Sequence, residues 1–328
     1  MENLLEVKGL SVSFATDRGR LEALSGVTIS VPKRRSVSIV GESGCGKTVT
    51  ALSILKLIPD PPGRIESGEI LFNGVNLLEL SEGELRRIRG AKISMIFQEP
   101  VSSLNPVFTV GDQIGETIRA HEAVSKSQEK ERVIELLNLV KIPAPETRLR
   151  SYPHELSGGM CQRVMIAMAL ACGPELLIAD EPTTALDVTI QAGILDLIGE
   201  LKESLGMSVL LITHDLGIVA EVADEVYVMY AGKVVEHGLT EALFSSPRHP
   251  YTAGLLESIP GLEKKRKERL SSITGVVPAL GEFPEGCRFA DRCPLVVEQC
   301  RASDPLLRAV DGGGQSACFR AEEVVLRS

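Results

Sequence analysis

The sequence predicts an α/β protein built on a largely parallel sheet, followed by a small appended segment rich in proline, glycine and cysteine. Three observations predict this. Short β-branched runs alternate with helical ones along most of the chain, the rhythm of strands buried on both faces. A glycine-rich string with a lysine lies between one such strand and one such helix. Four of the seven cysteines crowd together near the end of the sequence.

The elements follow in order. Residues 5–7, 10–14, 27–31 and 36–40 are β-rich runs separated by turns. The last leads through a Gly-rich turn into an apolar helix over 48–57, which Pro59, Pro61, Pro62 and Gly63 end. Residues 68–72 and the pair Asn73-Gly74 read as a strand and turn, and 93–97 as another strand. From about 99 to 151 the apolar spacing turns helical, with charged stretches such as 125–132 between apolar ones, so a helical insertion is expected. After Pro153 the β/α rhythm returns: helix 162–172, strand 175–179, helix 190–204, strand 208–213, then strands 226–230 and 233–236 around Ala231-Gly232. Composition shifts near Pro247, which divides the chain into a first domain over 1–250 and an appended domain over 251–328.

Composition narrows the function classes. A chain of 328 residues with 44% apolar content can bury a core and is not disordered. Thirty-five basic against 44 acidic residues leave a net charge of −9. That argues against nucleic-acid binding through a basic surface. The longest apolar run, 164–172, is far short of a membrane span. The first residues carry acids where a signal peptide needs bases. A soluble, cytosolic protein is expected, free to dock on a membrane protein.

The string Gly41-Glu42-Ser43-Gly44-Cys45-Gly46-Lys47-Thr48 matches the phosphate-loop pattern in its required strand-to-helix context. Glycines let backbone N–H groups curl round phosphates, and the helix start adds unpaired donors. Lys47 is placed to neutralise the outer phosphates, and the Thr48 hydroxyl to hold Mg²⁺. A second segment, 176–181, is an apolar strand ending in Asp180 and Glu181. A buried strand tolerates charge at its open end, so Asp180 is placed to hold Mg²⁺ and Glu181 to polarise an attacking water. A third, Leu156-Ser157-Gly158-Gly159-Met160, puts a serine and two glycines at a helix start, another anion-binding end.

The terminal cysteines, Cys287, Cys293, Cys300 and Cys318, are separated by five, six and 17 residues. In a cytosolic protein such a group points to metal rather than disulfides. Four thiolates suit tetrahedral zinc or a [4Fe–4S] cluster, and unligated thiols remain a third reading. No C-x2-C knuckle of the zinc-ribbon kind occurs, and the wider spacing leaves longer loops. Nothing in the sequence places this group at the nucleotide site, whose residues all precede 215.

Taken together these motifs resemble the ATP-binding-cassette (ABC) transporter ATPases, and the likeness covers almost the whole chain. The phosphate loop is 41–48, the glutamine loop falls at Gln98, the signature at 156–160, the Mg²⁺ strand at 176–181, the D-loop at Ala185-Leu186-Asp187 and the switch histidine at His214. Phe97-Gln98-Glu99-Pro100, Tyr152-Pro153-His154-Glu155, Glu181-Pro182-Thr183-Thr184 and Arg248-His249-Pro250-Tyr251-Thr252 are similar to the peptide and nickel importers. The cysteine-bearing tail, with Gly275-Val276-Val277-Pro278 and Gly314-Gln315-Ser316-Ala317-Cys318, narrows the resemblance to the dipeptide/oligopeptide branch. Cys45 stands where serine is usual, at a free position of the motif, Met160 replaces the general family's glutamine as in the peptide branch, and Cys161 stands where the wider family often has arginine and has no assigned role.

The resemblance implies a P-loop ATPase domain of ABC type, with a RecA-like core, an antiparallel β-subdomain and a helical subdomain at about 100–155, plus a small Cys-rich C-terminal domain. It implies ATP and Mg²⁺ as ligands. Gln98 would sense Mg²⁺ and the water, His214 would contact the γ-phosphate, and Phe14 would stack on adenine. Gly41, Glu42, Ser43, Gly44, Cys45, Gly46, Lys47 and Thr48 would cradle the phosphates of one ATP. Ser157, Gly158 and Gly159 would close on the ATP held by a partner chain. It favours [4Fe–4S], with zinc as the alternative, at Cys287, Cys293, Cys300 and Cys318. It further implies a second, homologous ATPase subunit in a heterodimer, two transmembrane permease subunits, an extracytoplasmic substrate-binding protein, and a peripheral place on the cytoplasmic face of the inner membrane. The cargo expected is a di- or oligopeptide, with haem, glutathione and nickel as alternatives. A soluble cassette ATPase acting on ribosomes or DNA is disfavoured by the acidic charge and the lack of a second cassette. An iron–sulfur redox regulator would need the cysteine group to be the active centre.

Overall fold

The computed structural model describes residues 2–98, 103–184, 187–259 and 273–326. Among them lie strands β1 (Asn3–Thr16), β2 (Gly19–Pro32), β3 (Ser36–Val40), β4 (Gly63–Phe72), β5 (Val75–Asn76), β6 (Ile93–Ile96), β7 (Leu176–Asp180), β8 (Ser208–Thr213), β9 (Glu225–Tyr230), β10 (Lys233–Leu239), β11 (Arg308–Val310) and β12 (Gly314–Ser316). The chain divides into two compact units, one of Met1–Leu4, Pro32–Arg35 and Glu79–Leu211, the other of Leu5–Val31, Ser36–Leu78 and Ile212–Ser328. The α/β class expected from the sequence is found in both.

In the first unit β6 and β7 pair in parallel, Ile93 opposite Leu176 through Ile96 opposite Ala179. Every residue of β7 is buried, as the unbroken apolar run requires. The expected insertion carries the helices Val110–His121, Lys126–Leu139 and Pro145–Arg148, and the helix Gly158–Leu170 follows where the β/α rhythm was expected to return. Val110, Ile114 and Ile118 on one helix, with Val133, Leu136 and Leu137 on the next, make the insertion's apolar seam. At about 1.5–3 kcal/mol for each such side chain, that seam is enough to hold the layer. The charged stretch 125–132 carries the start of the second helix. Ser125 caps a helix, its hydroxyl accepting from the Gln128 amide while the Gln128 side chain accepts from the Ser125 amide. The same reciprocal cap, Ser81 with Glu84, starts the helix Glu82–Ile88, which apolar spacing alone did not reveal.

In the second unit an antiparallel sheet runs in the order β2-β1-β4-β5. The two predicted strands 5–7 and 10–14 are one strand. Its pairing with β4 shifts register between Lys8 and Ser11, and Gly9 there takes φ +59°. A bulge of this kind absorbs the polar interruption without ending the strand. The parallel pair β3/β9 matches Val37 with Glu225 through Val40 with Val228. β9 and β10 form the expected hairpin, with Ala231 and Gly232 both at positive φ (+46° and +80°). β12 then pairs with β10, and β11 with β12. This last hairpin turns at Asp311-Gly312-Gly313, a turn signal the composition reading of the tail passed over. The helix Pro250–Glu257 lies between β10 and β11 in the chain, and the rings of Tyr230, Tyr251, Phe289 and His249 pack edge-on or tilted at centroid distances of 4.7–5.8 Å. Edge and tilted contacts of this kind bind residues 249–251 and 289 to the end of β9.

Candidate functional site

The sequence-predicted residues fall in both units. The phosphate loop, Phe14, His214 and the four terminal cysteines belong to the second, and Gln98, Ser157, Gly158, Gly159, Asp180 and Glu181 to the first. Glu99 and Pro100 after the glutamine, and Ala185 and Leu186 of the D-loop, lie outside the described residues.

The phosphate loop leaves β3 and enters the helix Lys47–Ile54. Gly41, Gly44 and Gly46 all sit at positive φ (+153°, +81° and +96°). Two of them also have no room for a side chain. A Cβ on Gly41 would meet the Met229 carbonyl oxygen at 2.2 Å, and one on Gly46 would meet Leu24 at 2.5 Å. Lys47 is buried, and its ammonium donates to the carbonyls of Gly41 (2.8 Å) and Glu42 (3.1 Å). Ser43, Gly44 and Thr48 are exposed on the rim. Burial raises the Cys45 thiol, the Ala231 backbone and Lys47 opposing the rise, so Cys45 packs the loop as a neutral thiol.

Two residues that sequence reasoning did not assign hold this loop. The Tyr251 hydroxyl accepts the Glu42 amide at 2.8 Å. Arg292 grips the Glu42 carboxylate with both terminal nitrogens, at 2.6 and 3.0 Å. Among the described residues the terminal cysteines themselves do not touch the phosphate loop, but a tail residue beside one of them does. A buried arginine next to a candidate cysteine ligand makes the contact. The signal available was an Arg beside Cys293, which carries no partner's name.

Phe14, near the end of β1, pairs opposite Gly63 and is half-buried. A Cβ on Gly63 would stand 2.9 Å from its ring. His214 follows β8 directly and is exposed. The next residue, Asp215, caps the helix Leu216–Val222 by accepting the Gly217 amide at 2.8 Å.

In the first unit the structure brings Gln98 and Glu181 together. Gln98 Nε2 donates to Glu181 Oε2 at 2.9 Å, and Thr184 Oγ1 donates to the same oxygen at 2.9 Å. Glu181 itself stands at φ +46°. A non-glycine residue held in this region marks a site the surrounding fold over-determines. Asp180, the last residue of β7, is buried. Ser157 caps the helix Gly158–Leu170 by accepting the Met160 amide at 3.3 Å, so the serine and both glycines stand at a helix start as expected. Gly158 is exposed, while a Cβ on Gly159 would press on Ile190 at 2.9 Å. Cys161 gains a role: it is buried, with its thiol donating to the Pro153 carbonyl at 3.5 Å.

The four terminal cysteines line one small cavity together with Phe289, Leu295 and Phe319. Burial, with the like charge of neighbouring thiols opposed by backbone donors, pushes Cys287, Cys293 and Cys318 up to about 11. Leu295 and Arg320 amides donate to Cys293 Sγ and Cys318 Sγ at 3.4 Å each. Gly286 is required here, since a Cβ would strike the Cys300 carbonyl at 2.3 Å. The expectation of a ready-formed metal centre is not met. Among the described residues no group of three or more His, Cys, Asp or Glu side chains is arranged to hold a metal ion. A tetrahedral zinc would draw its thiolates to about 3.8 Å from one another, given Zn–S bonds of ~2.3 Å.

Among the described residues no helix is long and apolar enough to cross a membrane. Comparison with known proteins agrees with the motifs. The "ABC transporter" family matches residues 24–184, and "Oligopeptide/dipeptide transporter, C-terminal region" matches residues 235–300. The chain is 53% identical over 322 residues to the probable peptide ABC transporter ATP-binding protein y4tR of Sinorhizobium fredii, covering 98% of this chain and 96% of that one. It is 52% identical over 315 residues to the dipeptide transport ATP-binding protein DppD of Escherichia coli, covering 96% of each. Among solved structures it resembles the dimeric post-hydrolysis state of the ATP-binding cassette MJ0796 bound to ADP and Pi, at a TM-score of 0.64 and 28% identity, over 72% of this chain and 98% of that one. With this likeness along nearly its full length, the chain belongs to the oligopeptide/dipeptide importer family of ABC transporter ATP-binding subunits.

Proposed function

We propose that the chain powers import of di- and oligopeptides by closing on ATP as one half of an ATPase dimer. The observation that carries the ATPase reading is the phosphate loop, with its lysine buried beneath two loop carbonyls and its glycines at positive φ. The peptide reading is supported by the likeness to peptide and dipeptide transport ATP-binding proteins over the whole chain.

Each residue then has a task. The loop amides and Lys47 bind the β- and γ-phosphates, and Phe14 stacks on the adenine. The Thr48 hydroxyl and the Asp180 carboxylate, both oxygen donors of the kind Mg²⁺ takes, would hold the ion as the family likeness implies. When bound, the ion offsets charge on the transferring phosphoryl group. Glu181 takes a proton from the attacking water, with Gln98 orienting the carboxylate and His214 reaching the γ-phosphate. Ser157, Gly158 and Gly159 offer a helix start to the nucleotide of a partner subunit, a homologous but different ATPase. Each chain thus supplies half of each site. The exposed Val107 and Phe108 ahead of the helix Val110–His121 suit docking of a membrane permease on the insertion, with the protein peripheral on the cytoplasmic face. Residues 251–328 form the C-terminal transporter domain.

The test is purification with the permease subunits and the second ATPase in membrane discs. Peptide-loaded binding protein should raise ATP turnover several-fold over the complex alone. Turnover indifferent to every peptide, but stimulated by another ligand of a binding protein, would move the cargo elsewhere.

For the terminal thiols we propose an iron–sulfur cluster, which the sequence resemblance favours over one zinc ion. All four line one cavity, backbone amides already point at two sulfurs, and in a cluster each thiolate takes a different iron and so stands further from its neighbours. Cys287, Cys293, Cys300 and Cys318 would hold [4Fe–4S], which supplies a cross-link and a one-electron redox centre. The raised thiols would ionise against the metal's charge. Protein purified without oxygen should be brown and carry about four irons per chain. Changing any one cysteine to alanine should lose iron and speed hydrogen exchange across 287–318. One zinc and no iron per chain would overturn the cluster and keep the ligands.

A further inference from the structure

A phosphate loop works by aiming backbone N–H groups and one lysine at a polyanion. A carboxylate inside that loop opposes both aims. Glu42 is such a carboxylate: second residue of the loop, half-buried, its own backbone carbonyl accepting from Lys47. Left alone it would repel ATP and pull loop amides toward itself.

The structure leaves it neither alone nor mobile. Arg292 meets it as a two-pronged clamp, and only 5% of the arginine side chain is exposed. That guanidinium is in turn fixed from behind. Its Nε donates to the Thr274 carbonyl at 2.9 Å, and its carbon lies 5.7 Å from the Tyr230 ring and 5.9 Å from the Phe289 ring. The geometry is the planar, bidentate kind that lysine cannot reproduce. From the other side, the Tyr251 hydroxyl accepts the Glu42 amide, and the same ring packs on Tyr230 and Phe289. The loop residue is thus held at its carboxylate and at its amide by two side chains beyond residue 250.

We propose that Arg292 and Tyr251 are positioning residues of the nucleotide site: the C-terminal segment neutralises Glu42 and fixes the loop in its ATP-binding shape. This rests on residues 41–48 binding ATP. The arginine acts through Glu42 and not on the nucleotide, so its effect depends on the Glu42 charge.

The test is calorimetric titration of the full-length chain with MgATP. The wild-type titration checks the ATP reading by itself, since a chain that binds no ATP fails that reading before any variant is measured. Arg292→Ala should weaken ATP binding about tenfold, a loss of ~1.4 kcal/mol. Arg292→Lys, which keeps the charge and loses the fork, should fall between. Glu42→Gln combined with Arg292→Ala should bind several-fold tighter than Arg292→Ala alone, because the unpaired charge is gone. A merely structural arginine would show no such rescue. Arg301→Ala, which breaks an exposed pair with Asp291 elsewhere in the tail, should bind as wild type. Should Arg292→Ala misfold, the lysine variant and its pairing with Glu42→Gln carry the same cycle. Wild-type affinity in folded Arg292→Ala, or a double variant as weak as Arg292→Ala, would overturn the proposal.

Discussion

Glu181→Gln should bind ATP and stop there: turnover falls by about 10²–10⁴-fold, the range a positioned general base supplies, while a closed dimer accumulates on ATP. Glu181 Oε2 accepts from both Gln98 and Thr184, so its carboxylate is aimed before any nucleotide arrives. Glutamine has the same shape and can present its own carbonyl oxygen to those two donors, and what it loses is basicity. Phosphate and Mg²⁺ contacts belong to other residues in this account, so binding survives. Single-turnover hydrolysis, with gel filtration in ATP, reads both halves. Near wild-type turnover, in a complex whose other site is disabled, would remove Glu181 from the role. Gln98→Ala should lower turnover less, since it frees the carboxylate's aim and leaves its charge.

The parts of this molecule that were legible in the sequence are those whose physics is local. Gly41, Gly44 and Gly46 announce positive φ by identity, and the structure finds it at all three. The apolar run 176–180 announces a strand buried on both faces and ending in a carboxylate. Ala231-Gly232 announces a hairpin, and it is there. Where polar residues interrupted a pattern, the reading broke too soon. Gly9 looked like the end of a strand and is a bulge within one. The charged residues 125–132 stood inside an expected helical insertion without a helix start being placed among them; a capping box at Ser125 supplies the start that apolar periodicity could not show.

Contacts between distant segments were out of reach for a different reason. Arg292 and Glu42 are 250 residues apart, and neither residue type at its position names the other. Tyr251 was quoted as part of a family string, yet its contact with the Glu42 amide depends on how a helix start packs against the end of β9. The cysteines were legible as a set, since their types alone state a shared chemistry. Their mutual approach around one cavity required the hairpin β11/β12 and the turn at Gly286, neither of which the sequence reading placed.

Lys47→Ala should cost more ATP affinity than any other single change in the loop. Its ammonium is buried and donates to the Gly41 and Glu42 carbonyls, and in the proposed site it would turn this charge to the outer phosphates. Charge-assisted contacts of this kind are worth about 1.5–3 kcal/mol each, and removing the partner of a buried anion costs at least as much. Affinity for MgATP should therefore fall by roughly a hundredfold. The loss should shrink for ADP and nearly vanish for AMP, because the side chain addresses the outer phosphates. That gradient separates a direct contact from a collapsed loop, which would lose all three nucleotides alike. It also separates Lys47 from Arg292. Adding Glu42→Gln should rescue Arg292→Ala, whose defect is an unpaired carboxylate, and should leave Lys47→Ala almost as weak, since no neutralised neighbour replaces a missing cation. Titration of the three nucleotides against both pairs of variants decides it, and equal losses for ATP and AMP in Lys47→Ala would refute the direct contact.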